Sequence, residues 1–300
     1  MKIFIAGGTG AIGRFLVPLL VNEGHKVVAL TRSEDRVALL AQMGAVPVVG
    51  NVYDKDRLVR LVAESEAEVM FHQLTAFGTK DGDPYAETIR VRIEGTRNLV
   101  AAAHAARVRR FIAQSISFMC SPFGDGLTDE ETPLYLDAPP AVRGPTEAVA
   151  SLERQTLKAE GMLGTVLRYG WFYGQGTSYD PQGTIPTALR KGTMPIVGAG
   201  AGTYSFINLR DAALATVKVL AYEANGLYNI VDDAPVRFSE WLPIAAKLLG
   251  AAAPGHIDEA SARQKMGDLR VYYMNEQRGA SNAKAKREFN WHPKIGRAHV

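Results

Sequence analysis

The chain has 300 residues, 47% of them apolar and 22% charged, with 34 Lys and Arg against 31 acidic side chains for a net charge of +3. That balance is that of a folded globular chain of one large or two modest domains, and it excludes a disordered or fibrous one. So small and evenly spread a charge gives no ground for a nucleic-acid partner. No apolar run approaches the about 20 residues that span a bilayer, so no membrane partner is expected. The apolar start breaks at Gly7, unlike a secretory leader. A single cysteine, Cys120, can form neither an internal disulfide nor a thiolate metal site. A reducing, cytoplasmic setting is therefore expected, with no metal site.

In chain order, the first half alternates short β-branched runs with helical patterns. Lys2–Ala6, apolar and bounded by glycine, predicts a strand buried on both faces. Ile12–Glu23 places Phe15, Leu16, Leu19 and Leu20 at helical spacing and stops at Gly24. Lys26–Leu30 predicts a second strand with its helix at Arg36–Met43, and Val46–Val49 a third with Arg57–Ala63. A fourth strand is expected at Val69–Leu74, followed by an alanine-rich helix at Ile93–Ala106. A fifth strand at Arg110–Ser115, a helix at Thr146–Glu160 and a sixth strand at Thr165–Tyr169 complete the series. Strands joined by helical crossovers predict an α/β fold with a doubly wound parallel sheet.

The second half is less regular. Gly and Pro punctuate 174–202; strands are expected at Tyr204–Leu209 and Leu227–Val231 around a helix at Ala212–Ala221, with further helices at Glu240–Leu249 and Ser281–Phe289. Residues 1–173 are thus expected to form a nucleotide-binding domain, with 204–232 partly returning to it, and 174–300 a smaller C-terminal mixed α/β substrate lobe. The tail Ile295–Val300 reads Ile-Gly-Arg-Ala-His-Val, which a widely used sequencing-library adapter would also encode. It is expected to be a non-native addition, and no role is assigned to His299.

Between the first strand and first helix stands Ala6-Gly7-Gly8-Thr9-Gly10-Ala11-Ile12-Gly13-Arg14. Two glycine registers fit, one starting at Gly7 and one at Gly8, and both share Gly10 and Gly13. An early glycine permits the tight turn, Gly10 lets backbone N–H groups approach a pyrophosphate, and Gly13 lets helix and strand pack closely. The helix N-terminus offers unpaired N–H groups to the anion. Gly7, Thr9, Gly10, Ala11, Ile12 and Gly13 are therefore candidate cofactor residues of a Rossmann-type dinucleotide site. About 20 residues on, an NAD site would carry Asp or Glu for the ribose hydroxyl. This chain has Thr31-Arg32-Ser33 there. Arg32 could fork onto a 2′-phosphate with Ser33 adding a hydroxyl, so NADP is favoured over NAD; the alternative for Arg32 is a solvated loop charge.

The chain resembles the extended and atypical branches of the short-chain dehydrogenase/reductase superfamily, the NAD-dependent epimerase/dehydratase group. The matching pieces are the Gly7–Gly13 turn, Gly50-Asn51-Val52-Tyr53-Asp54, Phe71-His72-Gln73-Leu74-Thr75, Gly95-Thr96-Arg97-Asn98-Leu99 and Gln114-Ser115-Ile116-Ser117. They continue with Leu167-Arg168-Tyr169-Gly170, Tyr173-Gly174, Asp211-Ala212-Ala213, Ser281-Asn282-Ala283-Lys284 and Asn290-Trp291. The resemblance implies that Asn51 and Val52 flank an adenine, that Gln73, Leu74 and Thr75 run beside the pyrophosphate and ribose, and that Gly170 and Trp171 lie near a nicotinamide. It also implies a homodimer built on the helices at Ile93–Ala106 and Thr146–Glu160. His72 ends an apolar strand, where a hydrogen-bonded structural histidine is favoured over a catalytic one.

The resemblance also exposes a gap. Such enzymes usually carry Tyr-x-x-x-Lys on one helix face, where the Lys cation favours the phenolate of a tyrosine that otherwise titrates near about 10. None of the 11 tyrosines here has Lys four residues later. With Glu153 matched to the family's glutamate after the motif, Pro145 stands at the tyrosine position and Val149 at the lysine position. Tyr173, Tyr135, Thr146 or Arg143 could substitute as donor. Ser115 and Ser117 lie where the family holds the substrate oxygen, although the usual serine position can also fall on Ile116; the alternative is ordinary strand-end serines. Ser115, Ser117 and Tyr173 are the catalytic candidates.

Tyr204 replaces the arginine by which nucleotide-sugar members grip a diphosphate, which disfavours that substrate class. Trp171, Phe172, Phe118, Tyr204 and Tyr179 could line an aromatic pocket for a small carbonyl or enone, or fill the interior. Arg92, where many relatives have asparagine, could meet a substrate carboxylate or a nearby acid. The leading expectation is an NADP-dependent oxidoreductase acting on a small carbonyl or conjugated alkene. The alternatives are a redox-sensing NADP-binding protein without turnover, and a non-redox lyase or epimerase-like enzyme.

Overall fold

The computed structural model describes residues 1–77, 83–222 and 225–295. Residues 296–300, with His299 and most of the adapter-like tail, lie outside the described residues.

The first half reads β1 (Lys2–Ala6), α1 (Gly13–Asn22), β2 (Lys26–Thr31), α2 (Val37–Gln42), β3 (Val46–Val49), α3 (Lys55–Ser65) and β4 (Val69–His72). It continues with α4 (Pro84–Arg90), a π-helical turn (Val91–Gly95), α5 (Thr96–Ala105), β5 (Arg110–Ile116), α6 (Pro140–Leu157) and β6 (Leu163–Tyr169). Then come β7 (Trp171–Tyr173), α7 (Thr184–Arg190), β8 (Ile196–Val197), β9 (Thr203–Tyr204), β10 (Phe206–Asn208), α8 (Leu209–Lys218) and β11 (Gly226–Ile230). The chain closes through β12 (Val236–Arg237), α9 (Phe238–Leu248), β13 (His256–Ile257), α10 (Glu259–Met266), α11 (Asp268–Val271) and α12 (Ala283–Phe289).

The central sheet is an α/β doubly wound sheet with strand order β11-β6-β5-β4-β1-β2-β3. β1 pairs in parallel with β2 on one side and β4 on the other, so Ala6 stands level with both Leu30 and His72. Phe4 and Met70 of these strands share a core with Leu58 and Val62 of α3, Leu99 and Ala102 of α5 and Leu152 of α6. Alternation sends Ile3 and Ile5 to the opposite face, and right-handed crossovers bring α1 and α2 there.

Within the described residues the chain forms two compact units. The first takes Met1–Ser115, Glu147–Arg168 and Ala212–Tyr228. The second takes Ile116–Thr146, Tyr169–Asp211 and the residues from Asn229 on. Its core gathers Tyr173, Tyr204, Phe206, Phe238, Trp241 and Leu242 with Val271 and Met274.

Among the elements that differ from expectation, two show the physical reason directly. The helix expected from Thr146 begins at Pro140, because proline at the first helical position gives up an N–H that has no intrahelical partner anyway. The single strand expected at Tyr204–Leu209 is cut at Ser205: Tyr204 pairs antiparallel with Val236, whereas Phe206–Asn208 pairs in parallel with Trp171–Tyr173.

Candidate functional site

The strand order reverses between β1 and β4, so the turn after β1 occupies the switch point where open α/β sheets bind ligands. Gly7 adopts φ +103°, and a Cβ there would fall 2.5 Å from the Gln73 carbonyl oxygen. A Cβ on Gly13 would lie 2.4 Å from the carbonyl of Gly7 and 2.5 Å from that of Gly8. Gly8 is buried against Leu40, Ala29 and Val17 without a positive φ. The glycine register required by geometry is therefore the one that starts at Gly7. The Gly10 N–H closes the turn on the Gly7 carbonyl at 3.0 Å. Ile12 caps α1 without a side-chain hydrogen bond, and the Arg14 and Phe15 N–H groups donate to the Gly10 and Ile12 carbonyls at 3.2 and 3.0 Å. Arg14 folds back, its Nε donating to the Thr9 carbonyl at 3.2 Å.

Gln73 is 3% exposed, yet neither its Oε1 nor its Nε2 has a partner among the described residues. A buried amide left unsatisfied costs free energy, and it sits against the turn whose glycines hold open a cradle. These residues fit a dinucleotide. Leu74 is half-buried and Thr75 exposed beyond it. At the end of β2, Arg32 is exposed, and the Ser33 hydroxyl donates to Asp35. Asn51 Oδ1 accepts the Tyr53 N–H at 3.1 Å, and the carbonyl of buried Val52 accepts from Asn98 Nδ2 at 2.9 Å. The Arg90 guanidinium covers the Tyr53 ring at 3.9 Å, and burial together with Glu87 pushes the Tyr53 phenol up to about 12.

His72 is fully buried between two partners. Its Nδ1 accepts the Leu74 N–H at 3.3 Å, so the ring proton belongs on Nε2, which meets the Thr96 hydroxyl at 3.0 Å. Burial, helped by the charge of Arg92 in the π-helical turn, lowers its pKa from 6.5 to about 3. This is the structural histidine expected from the sequence. Because the folded pKa is depressed, the unfolded chain binds the extra proton between pH 6.5 and about 3. Stability supplied by neutral His72 is thus present above that window and falls as pH drops through it. The expected slope from this residue is about 1.4 kcal/mol per pH unit. Urea midpoints across that window should flatten in a His72→Gln variant.

Ser115, one residue before the end of β5, is 1% exposed, and its hydroxyl donates to Glu153 Oε1 at 2.8 Å. Glu153 reaches in from α6 and pairs with Arg168 of β6 through two contacts of 2.7 Å, Nε to Oε1 and Nη2 to Oε2. Both charges are buried. Ser117 is also buried, with its N–H on the Tyr169 carbonyl at 3.0 Å. On α6, Pro145 lies inside the helix and Val149 is buried, while the Thr146 hydroxyl donates to the Val142 carbonyl at 2.8 Å. The Tyr173 hydroxyl donates to the Ile295 carbonyl at 2.5 Å. Tyr135 is buried, which raises its pKa, and Arg143 is exposed.

In the second unit, Gly170 lies so close to Ser205 that a Cβ would sit 2.3 Å from its carbonyl oxygen. Of the aromatic residues expected to line a pocket, Tyr204 and Tyr179 pack into the core against Phe206 and Trp241. Tyr204 is buried in that core and Tyr179 is half-buried against it, and burial pushes both phenols up. Phe172 packs on Tyr169. Phe118 and Trp171 stack at 4.1 Å and remain half-buried, joined by Tyr273. Neither Tyr273 nor Gln277, whose Oε1 takes the Trp171 indole N–H at 3.4 Å, carries a motif that could have flagged it. Among the described residues no group of His, Cys, Asp or Glu is placed to hold a metal ion. No described helix is long and apolar enough to cross a membrane.

The chain is similar to known proteins over nearly its whole length. The chain is 38% identical over 297 residues to a 3-diazoavenalumate denitrifying reductase of a Streptomyces species, covering 98% of this chain and 96% of that protein. It is 27% identical over 316 residues to a 4-hydroxy-2-methyl-3-oxo-4-farnesyl-3,4-dihydroquinoline-1-oxide ketoreductase of Stigmatella aurantiaca, covering 97% and 92%. A dTDP-glucose 4,6-dehydratase from Streptomyces venezuelae with NAD bound shares the fold at a TM-score of 0.77 and 19% identity, covering 99% of this chain and 94% of that one. The profile of the NAD dependent epimerase/dehydratase family matches residues 3–231, and the chain belongs to that family.

Proposed function

We propose that the chain is an NADP-dependent reductase that delivers hydride to a small electrophile without a strong proton donor. The observation that carries the reading is the cradle after β1, where Gly7 and Gly13 leave no room for a side chain beside a buried, unsatisfied Gln73. The loop N–H groups and Gln73 would hold the dinucleotide, and Arg32 with Ser33 would meet a 2′-phosphate. When bound, the nicotinamide supplies the hydride. The reductase names of the two sequence relatives support the same reaction class.

What α6 lacks narrows the class of electrophile. General acid catalysis is typically worth about 10²–10⁴-fold, and Pro145 and Val149 provide none. Substrates that leave no strongly basic oxyanion suit such a site: a conjugated alkene giving a stabilised enolate, or an activated carbonyl. A diazo arene suits it as well. Hydride adding to the ring carbon of an arenediazonium expels dinitrogen and leaves nothing to protonate, consistent with the name of the denitrifying relative.

Steady-state NADPH oxidation against carbonyls, enones and arenediazonium salts tests the reading. Turnover with at least one class is expected; tight NADPH binding with no turnover would favour the regulatory alternative. Arg32→Ala is expected to weaken NADPH by about tenfold or more and leave NADH nearly unchanged, as loss of a forked charge-assisted contact requires. Fluorescence titrations with both nucleotides read this out.

A further inference from the structure

Gln277 is 1% exposed and fixed at its backbone, where its N–H donates to the Tyr272 carbonyl and its carbonyl accepts the Thr203 N–H, both at 2.8 Å. Its side chain has only one allowed orientation. The Trp171 indole can only donate, so the amide presents Oε1 to it, at 3.4 Å, and carries Nε2 on the other branch. That Nε2 is buried and has no acceptor among the described residues. A buried donor left unmade costs more than a hydrogen bond contributes, so an amide locked this way is poised for a partner the chain does not supply.

The surroundings give that partner a shape. Trp171 stacks on Phe118 with centroids 4.1 Å apart and planes 16° from parallel. Tyr273 stands edge-on to both, at 5.0 Å from Trp171 and 5.7 Å from Phe118. All three rings keep part of their surface open, unlike Tyr204, which is 3% exposed in the core behind them. Phe118 directly follows Ser117, and Trp171 directly follows Gly170. Aromatic walls with one placed polar group are the usual make-up of a small-molecule site, and ring faces and edges at this spacing favour a further planar ring.

We propose that Gln277 is a specificity-determining residue: its Nε2–H₂ donates to a carbonyl or carboxylate oxygen of a planar aromatic substrate lying against Phe118, Trp171 and Tyr273. The proposal rests on the reductase reading for its purpose and adds the substrate class. Nucleotide sugars, which lack such a ring at the reacting end, do not match this surface. A site built around a hydrogen-bond donor rejects an analogue without the acceptor far more strongly than an apolar site rejects a lost methylene.

The probes are trans-cinnamate and trans-β-methylstyrene, which share a shape and differ in the acceptor oxygens. Binding is followed by tryptophan fluorescence, with Trp171→Phe as the signal control, and any turnover gives KM and kcat. The parent should prefer cinnamate by about tenfold or more. Gln277→Glu keeps an acceptor for the Trp171 N–H, so the fold is retained. It should keep the preference at low pH, where the carboxylic acid still donates, and lose it as the acid ionises. KM should carry this new pH dependence, with kcat and NADPH affinity near those of the parent, while Gln277→Met should lack the preference at every pH. A parent with no preference, or a Gln277→Glu variant whose preference does not change with pH, overturns the proposal. A Gln277-dependent preference without NADPH oxidation by any acceptor would instead overturn the reductase reading and leave the ligand site standing.

Discussion

Replacing Glu153 by alanine is expected to lower folding stability by about 3–5 kcal/mol, because it breaks a buried ion pair by removing the carboxylate that the Arg168 guanidinium meets through two contacts. Both carboxylate oxygens are engaged: Oε1 by Arg168 Nε and the Ser115 hydroxyl, Oε2 by Arg168 Nη2. The pair ties α6 to the neighbouring ends of β5 and β6. At the sensitivity typical of chains this size, a Tm drop of about 10 °C follows. Ser115→Ala removes one hydrogen bond and should cost only about 1 kcal/mol. Glu153→Leu combined with Arg168→Met removes both charges and should recover most of the loss, since a buried ion pair adds little over well-packed apolar groups. Urea and thermal melts of the four proteins check this. A double variant no more stable than Glu153→Ala would mean that the loss comes from packing rather than from the broken ion pair.

Gly13→Ala carries the largest expected effect on ligand binding. The added Cβ would stand 2.4 Å from the Gly7 carbonyl oxygen and 2.5 Å from that of Gly8, both backbone atoms with little freedom to yield. The start of α1 must then move off the turn, taking with it the N–H groups proposed to hold the dinucleotide. A displacement of about 1 Å in a positioned contact is worth about 10²-fold, so the NADPH Kd should rise by about that factor. Gly10→Ala meets only the Gly7 carbonyl, at 3.2 Å, and should weaken NADPH less. Isothermal titration with NADPH ranks the variants; equal affinity in parent and Gly13→Ala would remove the turn from the site.

Much of the first half was legible because its elements are locally specified. Lys2–Ala6 and Val46–Val49 are strands with the expected bounds, each an apolar run closed by glycine. The helix Pro84–Arg90 was missed although Asp83 caps it and Pro84 opens it, because seven residues give too little periodicity to register. The second half was less legible because its strands exist only by pairing. Ile196–Val197 is a strand because His256–Ile257 lies beside it, about 60 residues away in sequence. The glycine cradle could be read from spacing, but the choice of Gly7 over Gly8 needed the approach of Gln73. Glu153 could be identified as a landmark, yet its partnership with Ser115 and Arg168 depends on neighbouring strand ends. Gln277 gave no signal, since its role depends on an indole more than 100 residues earlier.

The most direct measurement of the central claim is label transfer from stereospecifically 4-deuterated NADPH to an aromatic electrophile, an enone in one arm and an arenediazonium in the other. Deuterium in the reduced product from one face of the nicotinamide, matched one-for-one by NADP⁺ formed, is the predicted result. Product without label, or NADPH bound but never oxidised with any electrophile, would contradict it.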